Sequence, residues 1–199
     1  SQTRYAGIAI PAQVSYVAQV WPAPSYADPV CPSLFIASRL LSNGYLYKHI
    51  RVQGGAYGGS SQYSPFSGLF SFISYRDPHI VETLKVYRDA VDTATAQAVF
   101  PDELEKAVIG TIGALDRPMD PSGRGYTAMI REFSRLSDEK RLRFRGAILD
   151  MAPDRLLEDC RRYFATIRDS AAVAVYSSDE NLHKANELLT PQLDTEALV

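Results

Sequence analysis

Apolar positions along this chain change period several times, and each change marks a predicted element. From Arg4 to Val20 the β-formers Tyr5, Ile8, Ile10, Val14, Tyr16, Val17 and Val20 predict one or two strands interrupted at Pro11. The proline-rich run from Trp21 to Pro29 reads as a loop. Leu34, Phe35, Leu40, Leu41, Leu46 and Ile50 then recur at helical spacing, predicting a helix that slackens at Asn43-Gly44 and resumes. A glycine cluster follows, and then a hairpin in which residues 56–63 pair with 68–75 across Ser64-Pro-Phe-Ser-Gly68. Leu69 to Tyr75 is a nearly continuous apolar strand.

The pattern turns helical after Asp77-Pro78, where aspartate supplies an N-cap and proline the first helical position, so a helix is predicted over 78–99. Phe100-Pro101-Asp102 restarts a helix over 103–115. After the loop 116–123, Tyr126, Met129, Ile130 and Phe133 share one face of another. Ser137 is a plain N-cap for a helix over 138–151, and Ala152-Pro-Asp154 opens one that ends near Ile167. Ala172 to Ser177 is the one clear late strand, Asp179 caps a short helix over 180–189, and 190–199 reads as a tail. Strands in two groups around a helical block predict an α+β fold, with helices packed on one face of a mainly antiparallel sheet. No linker divides the chain, so 1–199 is read as a single domain.

The chain has 199 residues, of which 46% are hydrophobic and 22% charged, enough for a core without staples. Its net charge of −2 (21 − 23) excludes a global basic field for nucleic acid or a membrane surface. Cys31 and Cys160 match no metal-ligand spacing and read as buried thiols, which implies a reducing compartment; a disulfide stays open. No apolar run reaches the ~20 residues that span a bilayer. The N-terminus carries no signal pattern and no initiating methionine, so the chain is expected to be processed or part of a longer protein.

The familiar catalytic motifs are absent. His79-Ile-Val-Glu82 lacks the second histidine one turn on that a zinc-peptidase helix needs. Gly58-Gly-Ser-Ser-Gln62 lacks the last glycine of a nucleophile elbow, and no Gly-Lys-Ser/Thr follows the glycine cluster. The basic run from Lys140 to Arg145, with Arg161 and Arg162, reads as a solvated helix face. What remains is the stretch from Tyr47 to Gly59. Arg51, a permanent cation with a forked set of donors, precedes Tyr57 by six positions among Gly54, Gly55, Gly58 and Gly59. These residues alone leave two readings open: a glycine-rich turn with Arg51 solvated, or an edge that binds a peptide and stabilises an oxyanion.

Gly44-Tyr-Leu-Tyr-Lys-His-Ile-Arg-Val-Gln-Gly-Gly-Ala-Tyr-Gly-Gly59 and Ser67-Gly-Leu-Phe-Ser-Phe-Ile-Ser-Tyr-Arg-Asp-Pro78 resemble the last domain of presequence proteases, zinc metallopeptidases of the pitrilysin/insulin-degrading-enzyme family. The opening Ala9-Ile-Pro-Ala-Gln-Val-Ser-Tyr-Val17, the run Leu104-Glu-Lys-Ala-Val-Ile-Gly-Thr-Ile-Gly113 and Gly123-Arg-Gly-Tyr126 continue the likeness in order, over residues 5 to 190. The resemblance implies that this is the C-terminal domain of a four-domain peptidase whose zinc sits on the N-terminal domain, with no metal bound here. It implies that Arg51 and Tyr57 are catalytic and substrate-binding residues of a composite site for short unstructured peptides. By the same reading Gln53, Gly54 and Gly55 are substrate-binding, and Ser60 and Ser61 line the rim. The partners implied are peptide substrates and the N-terminal half of the same polypeptide. The family also holds members that keep the fold without activity, so an inactive scaffold or interaction module is the alternative.

Overall fold

The computed structural model describes residues 4–96, 98–167 and 170–197. Six strands form one sheet in the order β3-β4-β2-β5-β1-β6: β1 (Tyr5–Ala9), β2 (Tyr16–Pro22), β3 (Gly58–Ser64), β4 (Leu69–Tyr75), β5 (Ala172–Ser177) and β6 (Asp194–Ala197). The first three pairings across this order are antiparallel, while β1 runs parallel to both β5 and β6. The helices are α1 (Cys31–Leu41), a π-helix (Ser42–Gln53), α2 (Val81–Ala96), α3 (Pro101–Leu115), α4 (Pro121–Phe133), α5 (Asp138–Leu149), α6 (Pro153–Ile167) and α7 (Asp179–Asn186). The architecture is the α+β one that the pattern predicts, with a mostly antiparallel sheet.

Strand alternation decides which side of the sheet is covered. Val17, Trp21, Phe70, Phe72, Val173 and Val175 are buried beneath the helices. At the centre Trp21 meets Phe70, Phe72 and Phe164 edge-on, at ring-centroid distances of 6.3, 5.1 and 6.4 Å. Polar ties fix helices to strands: the Tyr87 hydroxyl donates to the Val17 carbonyl at 3.0 Å, and that of Tyr163 to the Pro22 carbonyl at 3.0 Å. Ser33 of α1 donates to the buried Asp159 of α6. The alternate positions, among them Tyr16, Ala18, Val20, Ile73, Tyr75, Ala174 and Tyr176, face the side without helices.

Several boundaries differ from those the pattern predicts. The helix expected to slacken at Asn43-Gly44 continues without a break as the π-helix, which ends at Gln53. Asp77 does not cap a helix starting at Pro78. Its backbone bridges to Ser15, its carboxylate accepts from the His79 amide and the Thr83 hydroxyl, and α2 begins at Val81. The cap of α7 is Ser178, whose hydroxyl accepts from the Asn181 amide, one residue before the predicted Asp179. Of the segment read as a tail, residues 194–197 form β6 and Leu193 is buried.

Candidate functional site

The π-helix delivers Arg51 to the edge of the sheet. This wide helix makes a single continuous rod with α1, and Leu46 and Ile50 are its buried residues. The Gly55 amide donates to the Arg51 carbonyl and the Ala56 amide to that of Ile50, so the chain leaves the helix in a tight turn. Gly55 has φ +76, the left-handed region that glycine enters without steric cost. Gly59 serves a different end: a Cβ there would lie 2.7 Å from Ile50 Cγ2, so its absence lets the π-helix rest on β3. Gly54 is filled in the same way, since an added Cβ would meet the Ile50 carbonyl oxygen at 2.7 Å. Three of the four glycines thus shape the turn and the scaffold under Arg51. At Gly58 an added Cβ would meet nothing within 4 Å, and this glycine does leave open ground.

Arg51 and Tyr57 come together. The Arg51 guanidinium carbon lies 6.0 Å from the Tyr57 ring centroid and 5.7 Å from that of Tyr47, so it is held between two aromatic faces. No carboxylate among the described residues pairs with it. Tyr57 is 67% exposed, and its hydroxyl bonds to no group among the described residues. The Tyr57 ring also meets that of Tyr75 edge-on at 5.8 Å. Gln53 is exposed beside Arg51, and Ser60 is half-buried on β3. Ser61 does not reach the rim: it is buried and donates to the Ser38 hydroxyl of α1 at 3.2 Å. Sequence reasoning missed Tyr47 and Tyr75. Both had a signal, Tyr47 in lying four residues before Arg51 on a helix and Tyr75 in the alternation of β4.

The other candidate chemistry resolves into structure. His79 lies 3.8 Å from Glu82, and no group of three or more His, Cys, Asp or Glu among the described residues could hold a metal ion. Arg141, Arg143 and Arg145 pair with Asp138, Glu139 and Asp116, as a solvated helix face does. Cys31 and Cys160 are buried free thiols. Burial pushes each of them up to about 12, with a smaller push from Asp159 on Cys160. Among the described residues no helix is long and apolar enough to cross a membrane.

A family model described as the PreP C-terminal domain matches residues 6–183. The presequence protease 1 of Arabidopsis thaliana, named chloroplastic/mitochondrial, is 34% identical over 92% of this chain and 17% of its own length. The mitochondrial presequence protease of Mus musculus is 30% identical over 86% of this chain and 16% of its own length. The chain thus spans about a sixth of the length of these curated relatives. Among solved structures, pitrilysin superposes with a TM-score of 0.62 at 16% identity, covering 100% of this chain and 22% of that one. A peptidase M16 inactive domain from Pseudomonas fluorescens gives 0.69 at 15% identity, covering 89% of this chain and 44% of that one. These two likenesses concern the fold.

Proposed function

The chain belongs to the family of presequence-protease C-terminal domains, and on that premise we propose that it completes, with Arg51 and Tyr57, the composite active site of a zinc metallopeptidase that degrades short unstructured peptides. In this reading the metal belongs to the N-terminal half of the parent polypeptide, and the described residues here gather no group of metal donors. When bound there, zinc would activate water and polarise the scissile carbonyl.

The work of this chain's own residues follows from where they stand. Attack on a peptide carbonyl places negative charge on its oxygen, and a donor already aimed at that oxygen lowers the barrier. Tyr57 presents an exposed phenol with no partner of its own among the described residues, as such a donor requires. Arg51, oriented by the Tyr47 and Tyr57 rings, offers a forked set of donors to a backbone carbonyl or carboxylate of the peptide. Gln53 and the turn at Gly54 and Gly55 lie alongside as secondary substrate contacts. The observation that carries the reading is the convergence on one rim of a guanidinium and a phenol that hydrogen-bond to no group among the described residues, in a chain of this family. Two buried thiols fit a reducing compartment, and the mitochondrion or chloroplast that the relatives' names give is the proposed setting.

The test is Tyr57→Phe in the intact polypeptide. Turnover of an unstructured peptide is expected to fall ~10²–10³-fold, the cost of one oxyanion donor, with KM little changed. Unchanged turnover would sink the donor role. An inactive scaffold would instead show no peptidase activity in the intact protein before any mutation.

A further inference from the structure

Tyr57, just before β3, heads a line of four tyrosines, of which Tyr75, Tyr16 and Tyr176 stand on the helix-free face. Gly58 stands opposite Tyr75 in the β3–β4 register, and Tyr16 opposite Tyr176 in the β2–β5 register. Between these pairs the Tyr16 and Tyr75 rings meet edge-on at 5.4 Å, as do Tyr57 and Tyr75 at 5.8 Å. Tyr57, Tyr75 and Tyr176 are 67, 51 and 41% exposed. All four stand at the same end of the sheet, and Ala18, Ile73 and Ala174 beside them on that face are small or apolar. The rings carry no formal charge; Arg51 stands at the head of the row over the Tyr57 ring, and the Arg4–Glu196 ion pair lies beside Tyr176 at its far end.

Resting on the reading above, we propose that Tyr57, Tyr75, Tyr16 and Tyr176 form an aromatic subsite that receives bulky apolar side chains of an extended peptide substrate. The row covers three strand spacings of ~4.8 Å, about 14 Å, which an extended chain rising ~3.3 Å per residue crosses in about four residues. The occupant follows from continuity and charge. A peptide held at Tyr57 and laid flat over the sheet passes onto Tyr75, in ring contact with Tyr57, and then onto Tyr16, in ring contact with Tyr75. It finds there neutral faces that reward aromatic or large aliphatic groups. Tyrosine suits such a surface, because it offers a large amphipathic area with two rotatable bonds to immobilise.

The subsite is tested by binding rather than turnover, in the intact polypeptide with hydrolysis stopped by a zinc chelator. Fluorescein-labelled unstructured peptides carry Phe, Leu or Ser at a single position three residues from the cleaved bond, and anisotropy reads Kd. The Phe and Leu peptides are expected to bind about fivefold tighter than the Ser peptide, the scale of one aromatic contact. Tyr16→Ser and Tyr75→Ser are expected to bring that ratio close to one, and Tyr16→Phe to restore it. Tyr176→Ser at the exposed far end gives a variant with little core to lose. A ratio of one in the parent protein, or a ratio that survives all three serine variants, overturns the subsite; the latter is also the result if a folded partner covers this face. Because anisotropy does not depend on catalysis, failure here is separate from failure of the Tyr57→Phe turnover test.

Discussion

Arg51 is flanked by two tyrosine rings and by no carboxylate among the described residues, an arrangement that keeps its donors available to an incoming group. The two cysteines are in the opposite situation. Burial raises both thiols to about 12, well above the ~8.5 of a solvated cysteine. Both therefore stay protonated, and iodoacetamide at pH 8 is expected to modify neither in the folded chain and both in urea, which mass spectrometry reads directly. The sign of the pH dependence follows from linkage. Between about 8.5 and 12 the unfolded chain releases these protons and the folded chain keeps them, so stability falls as pH rises. Each thiol is expected to contribute a slope of about −1.4 kcal/mol per pH unit in that window, and Cys160→Ser should remove one of the two contributions from a urea series. At this scale the sequence singles out Arg51 and Tyr57, which the structure brings side by side, but the burial of Ser61 was not legible, because its partner Ser38 lies on α1, 23 residues away.

The elements show why some predictions held and others shifted. Punctuation by prolines, caps and apolar runs located α3, α5, α6, β4 and β5, with Pro101 and Pro153 opening α3 and α6 and Ser137 capping α5. It failed at the α1–π-helix junction, since Asn43-Gly44 carries a breaker signal while Leu46 and Ile50 hold the rod against its neighbours. That rod also accounts for part of the glycine cluster, because Gly54 and Gly59 leave room for Ile50. Gly59→Ala is expected to destabilise the chain by about 1–3 kcal/mol, because its Cβ would overlap Ile50 Cγ2 at 2.7 Å and Ile50 Cβ at 2.8 Å. Gly58→Ala meets nothing and should stay within about 0.5 kcal/mol. Urea midpoints of the two variants separate these outcomes. Equal midpoints would show that β3 does not need the close approach. In the intact polypeptide Gly59→Ala should also weaken peptide binding, because the element that carries Arg51 is lifted from the sheet.

The sheet as a whole is built from both ends of the chain, and its order cannot be read from any one segment. β1 and β2 are separated by β5, which arrives more than 160 residues after β1, and β6 then closes the β1 edge in parallel. Alternation can declare a strand but not its neighbours, and β6 offers none: Asp194, Thr195, Glu196 and Ala197 are all exposed, so its sequence looks like a tail. The specifying contacts lie just before it. Leu193 is buried, and its amide and carbonyl are both satisfied by the Asn186 side chain at the end of α7, at 2.8 and 2.9 Å. Leu193 and β6 therefore seal an edge at which β1 would otherwise present unpaired backbone groups and an uncovered Gly7. Removing 191–199 is expected to cost about 2–5 kcal/mol, the range for losing a buried leucine, and Leu193→Ala a comparable amount. Only the truncation frees the β1 edge, so only it should also form concentration-dependent oligomers in light scattering. If the truncated chain stays monomeric at every concentration, β6 is not the element that protects that edge.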